Sequence, residues 1–190
     1  MKKDVLQRHG NRVRFTLVCV AVFAALVTAL LVGQVPASPV PAAQTLGKPW
    51  TAVGSTGIVD EASLKNFAFG TSDIAFVAGA TGTVVVARYN VTNTFDNNAS
   101  PNKPGWTTLE MGSNAPLNTI IEARLYQVKT CDQQQTLLCM ARNRSNDTPC
   151  AKCTINGTID FTNNLYYVEV TLNRNSTQNP SPRMFTLRVY

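Results

Sequence analysis

The feature that most constrains this chain is a two-residue alternation of apolar and polar side chains, which recurs from Trp50 to the last residue. Successive side chains of a β-strand point to opposite faces, so this alternation predicts strands with one buried face and one solvated face. No stretch beyond Trp50 places apolar residues at helical spacing over three turns. The sequence therefore predicts an all-β domain.

About nine segments carry this pattern. The clearest two, residues 153–161 and 166–172, place their apolar side chains on matching faces and are predicted to form a hairpin with a turn at Asn163 and Asn164. The other segments are residues 64–69, 74–77, 82–92, 106–111, 119–129, 136–141 and 185–189. Short strands separated by Gly, Asn and Pro indicate two antiparallel sheets packed face to face. We predict an immunoglobulin-like or jelly-roll sandwich, and periodicity leaves a closed barrel open as the alternative.

The first 33 residues are of another kind. Five basic residues and one acidic residue give the first fifteen positions a charge of +4, and residues 16–32 contain no charged side chain. A basic start, an apolar run and small residues at its exit predict an N-terminal hydrophobic helix that serves as a cleaved signal peptide or as a signal anchor. In both cases the rest of the chain is expected outside the cytoplasm, either secreted or held in the cell envelope by a single span.

The formal net charge of +6 is concentrated in that N-terminal segment. The rest of the chain holds 12 basic and 10 acidic residues, so we predict no nucleic-acid partner, and membrane contact only through the N-terminal segment if it is not cleaved. Residues 34–49 hold four prolines among Ala, Ser and Val. That composition predicts a Pro/Ala-rich linker in front of a domain that covers residues 50–190.

Four cysteines follow the N-terminal segment, namely Cys131, Cys139, Cys150 and Cys153. Because their number is even and export is predicted, we expect them to form disulfides. The short spacings favour pairing Cys131 with Cys139 and Cys150 with Cys153, although four cysteines allow three pairings. A zinc site and a Cys-x-x-Cys redox centre are weaker interpretations, because only one pair has zinc-ligand spacing and no helix is predicted after Cys153.

The one histidine, His9, lies in the N-terminal segment, so the predicted exported domain has no imidazole. Triad hydrolases and histidine-ligated zinc enzymes need that group. Glycoside hydrolysis by two carboxylates does not need it, and ten acidic residues keep that chemistry open. We predict a non-catalytic binding or structural module without a cofactor. The alternative is a small secreted enzyme, either a carboxylate-pair glycoside hydrolase or a Cys-x-x-Cys redox protein.

Aromatic side chains are the candidates for ligand stacking, because a glycan partner would present the apolar face of a sugar ring. The candidates are Trp50, Trp106, Tyr126 and Tyr167. Trp106 begins a strand, and the pattern favours a position in the core. Tyr167 is the best candidate, because alternation places it on the face opposite Tyr166. The expected partner is an extracellular glycan or protein of unknown identity.

One loop offers weak candidates for metal binding. Asp96, Asn97 and Asn98 bring oxygen donors together, but the loop lacks the pattern of an EF-hand. The same residue types are common in turns, where their side chains bind the local backbone. The sequence therefore favours an ordinary turn, and no metal is predicted.

Overall fold

The computed structural model describes residues 48–93, 102–132, 134–145 and 147–190. Apart from two short 3-10 helices, Gly54–Thr56 and Glu61–Ser63, the regular structure of these residues consists of eleven β-strands. In chain order these are β1 (Trp50–Val53), β2 (Ile58–Val59), β3 (Phe67–Phe69), β4 (Ile74–Phe76), β5 (Val84–Val91), β6 (Thr108–Asn114), β7 (Thr119–Lys129), β8 (Gln135–Arg144), β9 (Cys150–Thr154), β10 (Asn164–Arg174) and β11 (Arg183–Val189). The prediction of an all-β domain is confirmed.

Three of the predictions fall on other parts of the chain. The predicted N-terminal hydrophobic helix, most of the linker, and the loop with Asp96, Asn97 and Asn98 lie outside the described residues. Within the described ranges, no helix has the length and apolar character needed to cross a membrane.

The strands form two antiparallel sheets. The six-stranded sheet has the order β3-β4-β11-β6-β9, with β1 paired to β11, and the five-stranded sheet has the order β2-β5-β10-β7-β8. Four strand pairs are nested within one another along the chain: β4 with β11, β5 with β10, β6 with β9 and β7 with β8. This nesting resembles a jelly roll. The predicted two-sheet sandwich is therefore confirmed, and the closed barrel is not formed.

Strand β10 sets the register of the five-stranded sheet, because it pairs along most of its length with both β5 and β7. Its inward side chains are buried, and they are Tyr166, Val168, Val170 and Leu172. Burial of a large apolar side chain contributes about 1.5 to 3 kcal/mol. A slip of one residue would exchange the buried set for the solvated set, so the apolar core determines which side chains of β10 face outward.

The six-stranded sheet supplies the other half of the core. Its almost fully buried side chains are Ile74, Leu109, Met111, Met184, Leu187 and Val189. Trp106, which precedes β6, belongs to the same cluster and packs edge-on against Phe161, with ring centroids 6.1 Å apart. The indole Nε1 of Trp106 donates a hydrogen bond to the carbonyl of Lys48, at 3.1 Å. The expectation that Trp106 is a core residue is confirmed.

Residues 153–161 differ from the prediction. Strand β9 ends at Thr154 and pairs with β6 in the six-stranded sheet, so the predicted hairpin with β10 is wrong. Ile155 and Ile159 are nevertheless buried. Between them, Gly157 has a φ of 98°, a backbone conformation that is unfavourable for residues other than glycine. Beyond Thr154 the backbone N–H groups of Ile155 and Asn156 still donate to the carbonyls of Thr107 and Leu138. Alternation thus predicted the burial of this segment, but the segment is not a strand paired with β10.

One disulfide is present among the described residues, and it joins Cys139 to Cys153 with a Cα–Cα distance of 5.8 Å. The favoured pairing of Cys131 with Cys139 and Cys150 with Cys153 is therefore wrong. Cys139 lies on β8 and Cys153 on β9. These are edge strands of different sheets, so the disulfide links the two sheets.

The remaining two cysteines, Cys131 and Cys150, carry exposed free thiols. Cys150 and Cys153 are three residues apart on β9, and their side chains point to opposite faces of the strand. Cys153 can therefore reach the neighbouring sheet while Cys150 faces solvent, and a bond between the two is not formed.

Loss of the disulfide should destabilise the domain. We compare a variant with Cys131→Ser and Cys150→Ser, which keeps the bond, with one that adds Cys139→Ser and Cys153→Ser. The bond closes a loop with a sequence separation of 14, so the second variant should lose roughly 3 kcal/mol of unfolding free energy in urea. If the two variants have equal unfolding free energies, the disulfide between Cys139 and Cys153 does not stabilise the domain by linking its two sheets.

Candidate functional site

The candidate site lies on the outer face of the five-stranded sheet, where side chains of neighbouring strands stand in rows. Tyr167 on β10 is directly opposite Tyr126 on β7 and Asn90 on β5. Tyr126 is in turn opposite Leu137 on β8. We call the line formed by Leu137, Tyr126, Tyr167 and Asn90 the tyrosine row. It crosses the four long strands of the sheet.

The two tyrosines of this row stack on each other. Their ring centroids are 5.1 Å apart and the ring planes differ by 20°, which is the geometry of an offset-stacked aromatic pair. Each ring therefore uses one face for its partner. Both side chains are partly exposed. The pair therefore offers aromatic surface to a ligand in an orientation fixed by two strands.

The phenol of Tyr167 is also held in place. Its hydroxyl donates a hydrogen bond to Oε1 of Gln135 on β8, at 2.9 Å. Partial burial raises the pKa of Tyr167, and the nearby Glu169 carboxylate and Tyr126 phenol raise it further. The hydroxyl is therefore a neutral hydrogen-bond donor throughout the physiological pH range.

A row of alternating charges lies beside the tyrosines. In spatial order its members are Arg88, Glu169, Arg124, Glu122 and Arg142, and we call this row the arginine ladder. The Nη2 atom of Arg88 is 2.9 Å from Oε2 of Glu169, and Nη1 of Arg124 is 3.9 Å from Oε1 of the same carboxylate. Glu122 contacts both Arg124 and Arg142. Each carboxylate thus lies between two guanidinium groups, which restricts the motion of all five side chains.

The tyrosine row and the ladder together enclose a shallow cleft of about 460 Å³, which we call the aromatic cleft. Its lining residues are Arg88, Tyr126, Gln135, Tyr167 and Glu169. The cleft combines aromatic surface with donors and acceptors on its rim. That combination suits a ligand with an apolar face and a polar edge.

A second depression, the edge groove, lies along the side of the sandwich and has a volume of about 710 Å³. It is lined by residues of β1, β6 and β11 of the six-stranded sheet and of β2 and β5 of the five-stranded sheet. Its polar side chains include Arg88, Asn90, Glu110 and Arg188. Arg88 therefore belongs to both depressions.

Glu110 anchors one wall of the edge groove. Its Oε2 atom accepts hydrogen bonds from Nζ of Lys152 at 2.8 Å and from the hydroxyl of Tyr190 at 2.9 Å. The guanidinium of Arg188 lies 4.6 Å from the centre of the Tyr190 ring. The hydrogen bond from Lys152 is the main cause that lowers the pKa of Glu110.

The structure brings together two of the four aromatic candidates. Tyr126 and Tyr167 meet on the open sheet face, as described above. Trp50 and Trp106 are only 6% and 2% exposed, so both indoles are core residues with little free surface for stacking. Among the described residues, no group of three or more His, Cys, Asp or Glu side chains is arranged to hold a metal ion.

Sequence reasoning missed the polar half of the site. Alternation along β5 places Arg88 and Asn90 on the same outward face, which was a usable signal. The opposition of Arg88 to Glu169, and of Glu169 to Arg124, depends on the register of three strands that are distant in sequence. That register cannot be predicted from a single sequence.

No protein-family model matches the chain, and no curated protein matches it. Among solved structures, the chain is similar to the CBM36-1 domain of a multidomain xylanase from the hindgut metagenome of Trinervitermes trinervoides, with 8% identity, a TM-score of 0.45, and coverage of 75% of this chain and 97% of that one. It is also similar to the xylan-binding module CBM86 of Roseburia intestinalis, with 11% identity, a TM-score of 0.39, and coverage of 76% and 94%.

Glu110 should make the stability of the domain depend on pH. Its pKa is lowered in the folded state, so its contribution is present above the ordinary pKa of glutamate and is lost as the pH falls through the folded value. Glu110→Gln should lower the unfolding free energy at neutral pH by roughly 0.2 to 1 kcal/mol, and this difference should vanish in acid.

Urea unfolding at neutral and acidic pH measures this difference. The matched control is Glu61→Gln, because Glu61 has no ion-pair partner among the described residues. If Glu110→Gln lowers the unfolding free energy by the same amount at both pH values, the charge of the carboxylate is not the cause of the loss.

Proposed function

We propose that this domain is an exported, non-catalytic module that binds carbohydrate on the outer face of its five-stranded sheet. Tyr167 and Tyr126 are the stacking residues. The observation that carries the proposal is the offset-stacked, partly exposed tyrosine pair beside an ordered row of polar side chains. The export signal predicted from the first 33 residues is consistent with a ligand outside the cytoplasm.

The chemistry of the cleft matches that of a sugar ring. A pyranose presents C–H groups on its faces and hydroxyl groups around its edge. The C–H groups carry small positive charges and are attracted to the negative face of a tyrosine ring. Gln135 and Arg88 line the cleft and offer an amide group and a guanidinium group to these hydroxyls. Each part of the ligand thus has a partner of the right polarity.

Rigid placement of these side chains favours binding. Tyr126 and Tyr167 stand on paired strands, and the ladder holds Arg88 and Glu169 through two hydrogen bonds, at 2.9 and 3.0 Å. Little side-chain entropy is therefore lost when a ligand binds. Because the cleft is shallow and water competes for every hydrogen bond, we expect dissociation constants of roughly micromolar to millimolar size.

The same geometry argues against the carboxylate-pair hydrolase. Glu122 and Glu169 are the carboxylates of this face, and each contacts two arginines. Their oxygens are occupied by guanidinium groups, whereas a general acid or a nucleophile needs an oxygen directed at the substrate. The thiol alternative has no support either, because Cys153 is bonded to Cys139 and not to Cys150.

Removal of the Tyr167 ring should weaken binding strongly. On a glycan array, and then by affinity electrophoresis in the retained polysaccharide, Tyr167→Ala should bind at least about tenfold more weakly than the wild type. Tyr167→Phe keeps the ring but loses the hydrogen bond to Gln135, so it should lose only about two- to tenfold.

The matched control is Phe69→Ala, which removes an exposed aromatic ring from the six-stranded sheet and should leave retention unchanged. Circular dichroism verifies that each variant is folded. The proposal fails if the wild type retains no glycan, or if folded Tyr167→Ala binds as well as the wild type.

A further inference from the structure

The aromatic cleft and the edge groove share a lining residue on strand β5. Arg88 lines both depressions, and Asn90, the next outward residue of β5, lines the edge groove while standing directly opposite Tyr167. The tyrosine row therefore leads from the middle of the five-stranded sheet to the mouth of the edge groove. No other residue is shared by the linings of these two depressions.

The edge of the sheet is open at this point. Strand β2 pairs only with Arg88 and Ala87 of β5, so among the described residues no strand covers residues 89–91 on that side. A ligand that follows the tyrosine row past Asn90 meets no neighbouring strand. It enters the space that β1, β5 and β11 line.

We propose that the edge groove provides further subsites for the same saccharide, so that the domain binds an extended chain across the strands and over the edge of the sheet. This inference rests on the proposed function. It adds the class of ligand, namely the interior of a linear polysaccharide rather than a terminal sugar. A single sugar at the tyrosines would leave the groove unused.

The distance between neighbouring positions along the tyrosine row supports a linear chain. Neighbouring strands of a sheet are roughly 4.8 Å apart, which is close to the length of one sugar residue in an extended chain. A chain that crosses the strands thus meets one row position for each sugar. In order these positions are Tyr126, Tyr167, Asn90 and then the groove.

The lining of the groove indicates how these further subsites bind. Trp50 is buried at its base and offers little ring surface. The rim combines the exposed apolar side chains of Val53 and Ile58 with polar groups. The polar groups are the guanidinium of Arg188, which lies over Tyr190, and Glu110, which Lys152 and Tyr190 hold in place. These polar groups bind the hydroxyl groups of the chain by hydrogen bonds. Stacking, and with it most of the affinity, remains at the tyrosine pair.

Chain length is the variable that tests this inference. The probes are β-1,4-linked gluco-, xylo- and manno-oligosaccharides of two to six units, measured by isothermal titration calorimetry. For the series that binds, the wild-type affinity should rise by roughly tenfold or more from the disaccharide to the hexasaccharide, because each added sugar forms new hydrogen bonds.

A variant of the groove should affect long ligands only. Arg188→Gln should bind the disaccharide like the wild type, but it should lose most of the gain for the hexasaccharide. The matched control is Arg183→Gln, because Arg183 lies on the same strand as Arg188, pairs with Asp73 at 3.5 Å and lines neither depression. It should behave as the wild type at every length.

The failures of the two proposals are distinguishable. If Tyr167→Ala abolishes binding but the wild-type affinity does not increase beyond the disaccharide, the extended site is wrong and the proposed function stands. The same conclusion holds if Arg188→Gln binds all lengths like the wild type. If Tyr167→Ala binds every probe like the wild type, or if the wild type binds none of them, the proposed function fails and the extended site fails with it.

Discussion

The register of strand β10 is the constraint on which the rest of the structure depends. Its inward side chains interlock with β5, β7 and the opposing sheet, and burial of these apolar groups excludes a shift by one residue. Tyr166 is therefore inside and Tyr167 outside. Since β5 and β7 flank β10 in fixed register, the same burial places Tyr126 and Asn90 at the sides of Tyr167.

This register also aligns the outward side chains of neighbouring strands on the outer face of the five-stranded sheet. The charged side chains of four neighbouring strands alternate in sign, and each glutamate contacts two arginines. Exposed ion pairs contribute little to stability individually. In a ladder, however, they fix the orientation of long side chains that would otherwise move freely, and fixed side chains lose less entropy when a ligand binds.

The parts of the fold that local patterning controls could be predicted from the sequence. Alternation predicted the sandwich, the outward position of Tyr167 and the burial of Trp106, Ile155 and Ile159. It failed for the extent and the partner of the strand at residues 153–161, because alternation reports which side chains are buried and not which strand lies alongside.

Features that depend on long-range topology could not be predicted. The partner of Cys139 is fixed by β8 and β9, which end the two sheets on the same side of the sandwich. Short sequence spacing pointed to Cys131 instead, because it carries no information on which strands become neighbours. The arginine ladder and the edge groove were missed for the same reason, since each combines residues from strands that are far apart along the chain.

The central claim is that a sugar ring lies against the tyrosine pair. Intermolecular nuclear Overhauser effects between isotope-labelled protein and a bound oligosaccharide test it most directly. The account predicts cross-peaks from the ring protons of Tyr167 and Tyr126 to the C–H protons of the sugar. Cross-peaks confined to side chains of the six-stranded sheet, with none to either tyrosine ring, would contradict it.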